Sequence, residues 1–208
     1  MASEVDICNL ALAHLGDTAT VASIDPPEGS AQAELCARFY PVARDVLLEL
    51  HPWDFSTRRA TLAPLGSGGG EWDYAYAAPA DALNILAVLP PNESDGSGSA
   101  GGRCVPQPFS CEMGDGGAQV ILTDQGAATL RYTALVSDTT QFSPLFVAAL
   151  SWQLAAMLAG PILKGDAGAE QAKRCEVMAN ALLARAAVSD AQQRRVSPAH
   201  AVGWIAGR

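Results

Sequence analysis

Three carboxylates around a short aromatic segment are the residues of this 208-residue sequence whose types and spacing best suit acid–base chemistry. They are Glu71, Asp73 and Asp81, and the aromatic side chains beside them are Trp72, Tyr74 and Tyr76. Glycan hydrolysis needs one carboxylic acid and one base or nucleophile, so a glycan hydrolase is one interpretation. A β-strand with one aromatic face produces the same alternation, and we favour that interpretation.

Other catalytic or ligand-binding chemistry finds little support in the sequence. His14 and His51 lie at predicted helix ends, and neither they nor His200 has a nucleophile elbow or a second metal ligand nearby. The segment Gly96–Gly101 matches GxGxxG, but a Pro-Pro loop precedes it and no helix opens there, which indicates a flexible linker. We therefore predict no catalytic residue, no metal site and no cofactor.

Five scattered cysteines carry no CxxC motif. They are Cys8, Cys36, Cys104, Cys111 and Cys175. With no signal-peptide pattern, reduced and buried thiols in a cytoplasm are the favoured interpretation, and a Cys104–Cys111 pair across a hairpin is the alternative. The apolar run from Phe146 to Leu163 contains Gln153, Gly160 and Pro161, so we expect it to be too short to span a membrane.

Helical patterns occupy both ends of the chain. Ser3 with Asp6 predicts a capping box for a first helix that Gly16 stops, and Ser30 caps a second helix over 31–50 that contains Pro41. Ser143-Pro144 begins a third helix that stops at Gly160-Pro161. A loop over 164–168 and a fourth helix over 169–188 follow. The apolar positions that keep helical spacing along the second helix are Leu35, Phe39, Val42, Val46, Leu47 and Leu50.

Between the helices, short β-prone runs alternate with Gly, Pro and Asp. These runs cover 58–63, 72–78, 82–89, 105–112, 119–123 and 129–136, with loops at 66–70, 90–102 and 114–117 and a hairpin signal at Asp115-Gly116. The predicted fold is α+β: a mainly helical bundle from the N- and C-terminal segments with an inserted antiparallel β-rich module and an extended tail. The predicted boundaries are 1–56, 57–137, 138–189 and 190–208.

Charge is unevenly distributed along the chain. Residues 1–150 hold 6 basic and 18 acidic side chains, whereas residues 151–208 hold 7 basic and 4 acidic ones. A protein that clamps nucleic acid needs clustered Lys and Arg to neutralise phosphates. The net charge of -9 therefore argues against sequence-specific DNA binding.

Three ordered stretches of the sequence resemble one family. They contain Ile7-Cys8-Asn9-Leu10-Ala11-Leu12 in the first, His51-Pro52-Trp53-Asp54-Phe55 and Arg59-Ala60 in the second, and Leu130-Arg131-Tyr132 and Phe142-Ser143-Pro144 in the third. In this order they resemble the tail tubular protein A-like head-to-tail adaptors of short-tailed bacteriophages. The likeness spans almost the whole chain, apart from the Gly/Ser loop at 92–102.

The resemblance implies a structural protein and no enzyme. Family members form a dodecameric ring that joins the portal protein to the tail nozzle protein and lets genomic DNA pass without sequence-specific binding. It implies a virion protein at the head–tail junction that assembles in the host cytoplasm, as a homo-oligomer alone or only on the portal, with no membrane. The alternative from another class is a tail-associated cell-wall (glycan) hydrolase that uses Glu71, Asp73 or Asp81. A helical interaction module outside any virion is a further alternative.

The resemblance also assigns roles to particular residues. The C-terminal tail would bind the portal through Arg194, Arg195, Val196, Trp204, Ile205 and Arg208, the alternative being a frayed terminus. Arg44 and Asp45 would pair with neighbouring subunits or form a solvated helix face. Trp53 and Phe55 would fix the chain turn in the core, with contact between subunits as the second interpretation.

Overall fold

The computed structural model describes residues 2–91, 105–114 and 117–193, and within them the chain is α+β, as predicted. Its helices are α1 (Glu4–His14), α2 (Ala31–Leu50), α3 (Pro144–Leu163) and α4 (Gly165–Ala191). Its strands are β1 (Thr57–Thr61), β2 (Ala63–Ser67), β3 (Tyr74–Ala77), β4 (Ala82–Leu89), β5 (Ser110–Met113), β6 (Gln119–Thr123) and β7 (Thr129–Ala134). A short 3-10 helix, Thr139–Gln141, precedes α3.

Three serines begin helices where the sequence predicts. The Ser3 hydroxyl accepts the Asp6 N–H at 3.1 Å, and the Ser3 N–H donates to the Asp6 carboxylate at 2.8 Å, which completes the capping box of α1. The hydroxyls of Ser30 and Ser143 cap α2 and α3 by accepting the N–H groups of Ala33 and Phe146, without the reciprocal bond of a capping box. Hydrogen bonds from the Ser3 backbone and then its side chain lower the pKa of Asp6. The cap therefore stabilises α1 at neutral pH and is lost as the pH falls through that lowered pKa.

The predicted end of the third helix at Gly160-Pro161 is wrong. α3 continues to Leu163 with Pro161 inside it, and α4 follows after Lys164, where the sequence predicts a loop. Lys164 turns the chain with a φ of 56°, and a Cβ atom at Gly168 would lie 2.9 Å from the carbonyl oxygen of Ala159. This close approach of the two helices stabilises the last turn of α3 despite the hydrogen bond that Pro161 cannot donate.

α3 is also a long apolar helix. Its 20 residues are enough, by length and composition, to cross a membrane, so the expectation that this run is too short is wrong. Of its most apolar window, 44% is buried inside the structure. Phe146, Leu150, Leu154 and Leu158 are fully buried in the hydrophobic core, as in the central helix of a helical protein. The absence of a membrane partner stays a prediction.

The chain divides into two compact units. The first, here called the helical unit, contains Met1–Arg59, Pro79–Leu86 and Arg131–Asp190, and the second, the sheet unit, is built from Ala60–Ala78 and Ala87–Leu130. In the helical unit, α1 and α2 both pack on α3. In this division, residues 57–59, Pro79–Leu86 and 131–137 of the predicted insertion group with the helices. The predicted domain boundaries stay a prediction.

The strands form two antiparallel sheets, of order β1-β7-β4 and β2-β3-β6-β5. In the second sheet Tyr76 pairs with Ile121, which in turn pairs with Cys111. The antiparallel pairing of β5 with β6 agrees with the hairpin signal, whose turn at 115–116 lies outside the described residues. The predicted loop at 66–70 is wrong in part, because β2 extends to Ser67 through an irregularity between Pro64 and Gly66.

The predicted strand over 105–112 is shortened to Ser110–Met113. Before it, Gln107 forms only an isolated bridge with Val88. Pro106 and Pro108 flank that bridge, and proline has no N–H to donate to a strand ladder. The prolines therefore account for the missing half of the strand.

Candidate functional site

Several hydrogen bonds and ring contacts meet at the turn between α2 and β1, and we call its residues His51–Phe55 the HPWDF junction. Trp53 has 0% exposed surface, and its indole N–H donates to the carbonyl oxygen of Leu47 at 2.8 Å. Its ring lies 5.8 Å from the ring of Phe55 and 5.1 Å from that of Phe146 between centroids. This geometry agrees with the interpretation that Trp53 fixes the chain turn in the core.

The backbone of the junction is closed by one carbonyl group. The oxygen of Trp53 accepts the N–H groups of Ser56 and Thr57 at 3.1 and 2.9 Å and also both of their hydroxyls. The oxygen of Ser56 then accepts the N–H of Ala134 in β7. The chain is therefore held rigidly as it passes from α2 into β1.

Asp190, near the end of α4, binds the HPWDF junction from a distant part of the sequence. Its carboxylate is 7% exposed and accepts the N–H of Asp54 at 3.1 and 3.3 Å. One of its oxygens lies 3.2 Å from Nε2 of His51, whose ring meets Trp53 edge-on. A buried carboxylate needs such donors. The end of α4 is therefore tied to the turn that follows α2.

This contact moves the predicted start of the C-terminal tail. The predicted tail begins at Asp190, but α4 continues to Ala191, and Asp190 is bonded to the junction. The predicted portal-binding residues lie outside the described residues; they are Arg194, Arg195, Val196, Trp204, Ile205 and Arg208. His200 and Cys104 also lie outside them. The structure thus describes where this segment leaves the helical unit.

Arg44 and Asp45 lie on α2 and pair with each other. Nε of Arg44 is 2.8 Å from a carboxylate oxygen of Asp45. The guanidinium carbon lies 6.0 Å from the ring centroid of Tyr40, and Arg44 as a whole is only 9% exposed. Asp45 is half-buried. Their pairing with a neighbouring subunit stays a prediction.

The candidate hydrolase carboxylates have other partners. Asp81, in the helical unit, accepts hydrogen bonds from Arg58 at 2.9 Å and from the Tyr132 hydroxyl at 3.1 Å. Glu71 is exposed, and Asp73 in the sheet unit donates its N–H to the side chain of Asp124. Asp81 therefore joins Arg58 on β1 to Tyr132 on β7, which is a structural contact.

Part of the aromatic alternation beside these carboxylates lies on a β-strand. Tyr74 and Tyr76 lie on β3, with ring centroids 6.3 Å apart. Tyr74 is 41% exposed, whereas Tyr76 is buried and donates its hydroxyl to the carbonyl of Gln125. Trp72 precedes the strand.

Among the described residues, no group of three His, Cys, Asp or Glu side chains could hold a metal ion. Cys8, Cys36 and Cys175 are buried and Cys111 is exposed, all as free thiols. A hydrogen bond with Cys36, and then burial, raise the pKa of the Cys8 thiol. The core thiols therefore fit the predicted role of inert apolar side chains.

His14, the last residue of α1, is half-buried and packs against α3. Its ring stacks on the Trp152 ring with the two centroids 3.7 Å apart, and its Nε2 lies 3.2 Å from the Ser151 hydroxyl. Burial lowers the pKa of the imidazole from its usual value near 6.5. The neutral ring is therefore the form that the fold favours.

We predict that His14→Phe makes stability less dependent on pH. Because the folded pKa of His14 is lowered, its stabilisation is complete above the unfolded pKa and is lost as the pH falls through the folded pKa. Phenylalanine keeps a ring on Trp152 and does not titrate. Urea unfolding at pH 7.5 and pH 5 measures this: the difference between the two free energies should shrink in the variant, and an unchanged difference would show that His14 does not contribute.

Two helices of the helical unit also carry aliphatic side chains that the fold leaves exposed. The α2 stripe, at i, i+4 and i+8, consists of Val42, Val46 and Leu50, exposed by 51, 37 and 61%. The α4 stripe consists of Val177, Ala181, Ala184 and Val188, all exposed, the two valines by 67 and 60%. Both follow helical spacing. The core does not use them.

Neither the Asp190 contact nor the exposure of the α2 stripe is evident in the sequence. Asp190 lies more than 130 residues from the junction, and no local pattern indicates such a pair. Of the α2 positions predicted from helical spacing, Leu47 is buried whereas Val42 and Leu50 are exposed. An apolar arc too wide for a single core face was the available signal.

No protein-family model matches the sequence, and no curated protein is significantly similar to it.

Proposed function

We propose that this chain is a subunit of a head-to-tail adaptor ring that joins the portal of a phage or prophage particle to its tail. The observation that carries the proposal is the Asp190 contact. It ties the end of α4 to the HPWDF junction, which is part of the resemblance to the adaptor family. An adaptor that grips its partner with a C-terminal segment needs that segment to start from a rigid point.

The architecture supports a role in assembly. Exposed aliphatic stripes on α2 and α4 suit contact with other protein surfaces. In the proposed arrangement, the helices of the two chain ends form one bundle that faces the portal, the β-rich part faces the tail, and the residues after 191 extend into portal clefts. No catalytic residue and no cofactor is required.

The charge of the chain suits a DNA conduit. A dodecamer would carry a formal charge of -108, which is 12 × -9. An acidic lumen repels phosphates and so limits adhesion of the passing genome. The proposed partners are the portal, the tail nozzle, further copies of this chain and transiting DNA. The proposed location is the head–tail junction of the virion, and the host cytoplasm during assembly.

Removal of residues 192–208 tests the proposed grip. We expect the shortened chain to fold normally, because Asp190 and α4 are kept, and to lose most of its binding to the portal encoded in the same genome. Pull-down with that portal, together with circular dichroism of the free chain, provides the measurement. Portal binding as strong as that of the full chain would contradict the role assigned to the tail.

A further inference from the structure

We propose that, in the free chain, residues 194–208 fold back onto the α2 stripe of the same copy, with Trp204 and Ile205 as the apolar anchors. The α2 stripe is then a docking surface for a segment of the chain itself. This contact goes beyond the proposed function, because it concerns the chain before it meets any partner.

The end of α4 places the start of this segment beside the stripe. A carboxylate oxygen of Asp190 lies 3.2 Å from Nε2 of His51, and His51 directly follows Leu50, the last residue of the stripe. α4 ends at Ala191, and the chain turns over residues 192–193. The segment therefore starts close to one end of the α2 stripe.

The segment is long enough to cover the whole stripe. From Leu50 to Val42 the stripe rises by about 12 Å along the helix, at about 1.5 Å per residue. Trp204 lies 11 positions after Gln193, which allows a reach of up to about 36 Å for an extended chain. A connection longer than the distance it must span gives Trp204 a high effective concentration at the stripe. A segment of another molecule would bind without that advantage.

The segment carries the side chains that an apolar stripe needs. Its 15 residues include Val196, Val202, Trp204 and Ile205. The three aliphatic side chains of the α2 stripe are 37–61% exposed, so each has apolar surface left to bury. Burial of two apolar surfaces against each other is favourable, and a tryptophan ring contributes a large area to it.

The first residues of the segment also suit the end of α2. Arg194 and Arg195 follow α4 closely, and residues 191–208 include no Asp or Glu. The last turn of α2 has no basic side chain, so arginines beside it would complement the partial negative charge of its terminal carbonyl groups. This argument requires no ion pair with Asp45, whose carboxylate is paired with Arg44.

The contact has a consequence for portal binding. A segment that covers the α2 stripe cannot lie in a portal cleft at the same time, so the portal would have to displace it. The free chain would thereby keep Trp204 and its exposed aliphatic helix face out of water until the portal is present.

Fluorine NMR of the full chain labelled with fluorotryptophan tests the contact. The chain has four tryptophans, and the signal of Trp204 is the one that disappears in Trp204→Phe. In the unaltered chain we expect this signal to be as broad as that of Trp53, which is fully buried. In Leu50→Glu it should narrow about three-fold or more, because a released segment moves faster than the body of the protein. Dilution of the unaltered chain should not change it.

Two variants serve as controls. Leu65→Glu changes a side chain that is 60% exposed on β2, and Val188→Glu changes one that is 60% exposed on the α4 stripe. Both should leave the Trp204 signal broad. If Leu50→Glu does not fold by circular dichroism, Val42→Glu on the same stripe replaces it, at 51% exposure.

Four results would overturn the proposal. They are a narrow Trp204 signal in the unaltered chain, no narrowing in Leu50→Glu, narrowing in Val188→Glu alone, and narrowing on dilution, which would show that the segment binds another copy. A broad signal that narrows in the α2 variant, and neither in the controls nor on dilution, supports it. No portal is present in this experiment, so its failure would leave the adaptor proposal to be decided by portal binding.

Discussion

Trp53→Ala is expected to lower the free energy of unfolding by about 3–5 kcal/mol, the usual cost of removing a buried tryptophan. Trp53 is fully buried, and its ring packs among Phe55, Phe146 and His51. Truncation leaves a cavity there and leaves the carbonyl of Leu47 without its indole donor. The loss is large because the surrounding backbone, closed by the Trp53 carbonyl, cannot collapse into the space.

Chemical denaturation followed by far-UV circular dichroism measures this loss. Trp72→Ala is the matched control, because Trp72 is only partly buried and precedes β3 in the sheet unit. Trp53→Phe separates the two terms, since it keeps an aromatic ring but removes the hydrogen bond, and should cost clearly less than alanine. A change below about 1 kcal/mol for Trp53→Ala would contradict a core role.

Asp190→Ala is expected to cost about 1–3 kcal/mol, the penalty for leaving a buried hydrogen-bonding group without its partner. The substitution removes the acceptor for the Asp54 N–H and the contact with His51. The end of α4 then loses these bonds to the HPWDF junction. We expect faster hydrogen exchange in the last turn of α4 and weaker binding to the portal.

Two variants control this result. Asp190→Asn keeps an oxygen that can accept the Asp54 N–H and should lose less than half as much. Ser189→Ala changes the preceding, exposed residue and should have almost no effect. Equal portal binding by Asp190→Ala and the unaltered chain, at equal folding, would show that the anchor does not position the tail.

The features that sequence predicted well are local ones. Ser3, Ser30 and Ser143 cap their helices because a cap needs only residues within one turn. The α+β order of helices, strands and helices was predicted from periodicity alone. The extent of β2 and the end of α3 were not predicted. An irregularity of the chain at Gly66 and a close helix contact at Gly168 override the signals for a loop and for a helix end that Gly and Pro give locally.

The candidate site was predictable only in part. The apolar character of Trp53 and Phe55 indicated a core turn, and the structure places Trp53 there. The carboxylate that completes the site, Asp190, comes from the other end of the chain, so only tertiary structure brings it to His51. The α2 stripe shows the same limit, because periodicity identifies an apolar face but not what covers it.

The most direct test of the adaptor proposal is electron microscopy with light scattering of the purified chain, alone and with the portal encoded in the same genome. The account predicts closed rings of roughly 260 kDa for a dodecamer of the 21.6 kDa chain, either free or seated on the portal. A chain that remains monomeric in both samples and does not bind the portal would contradict it.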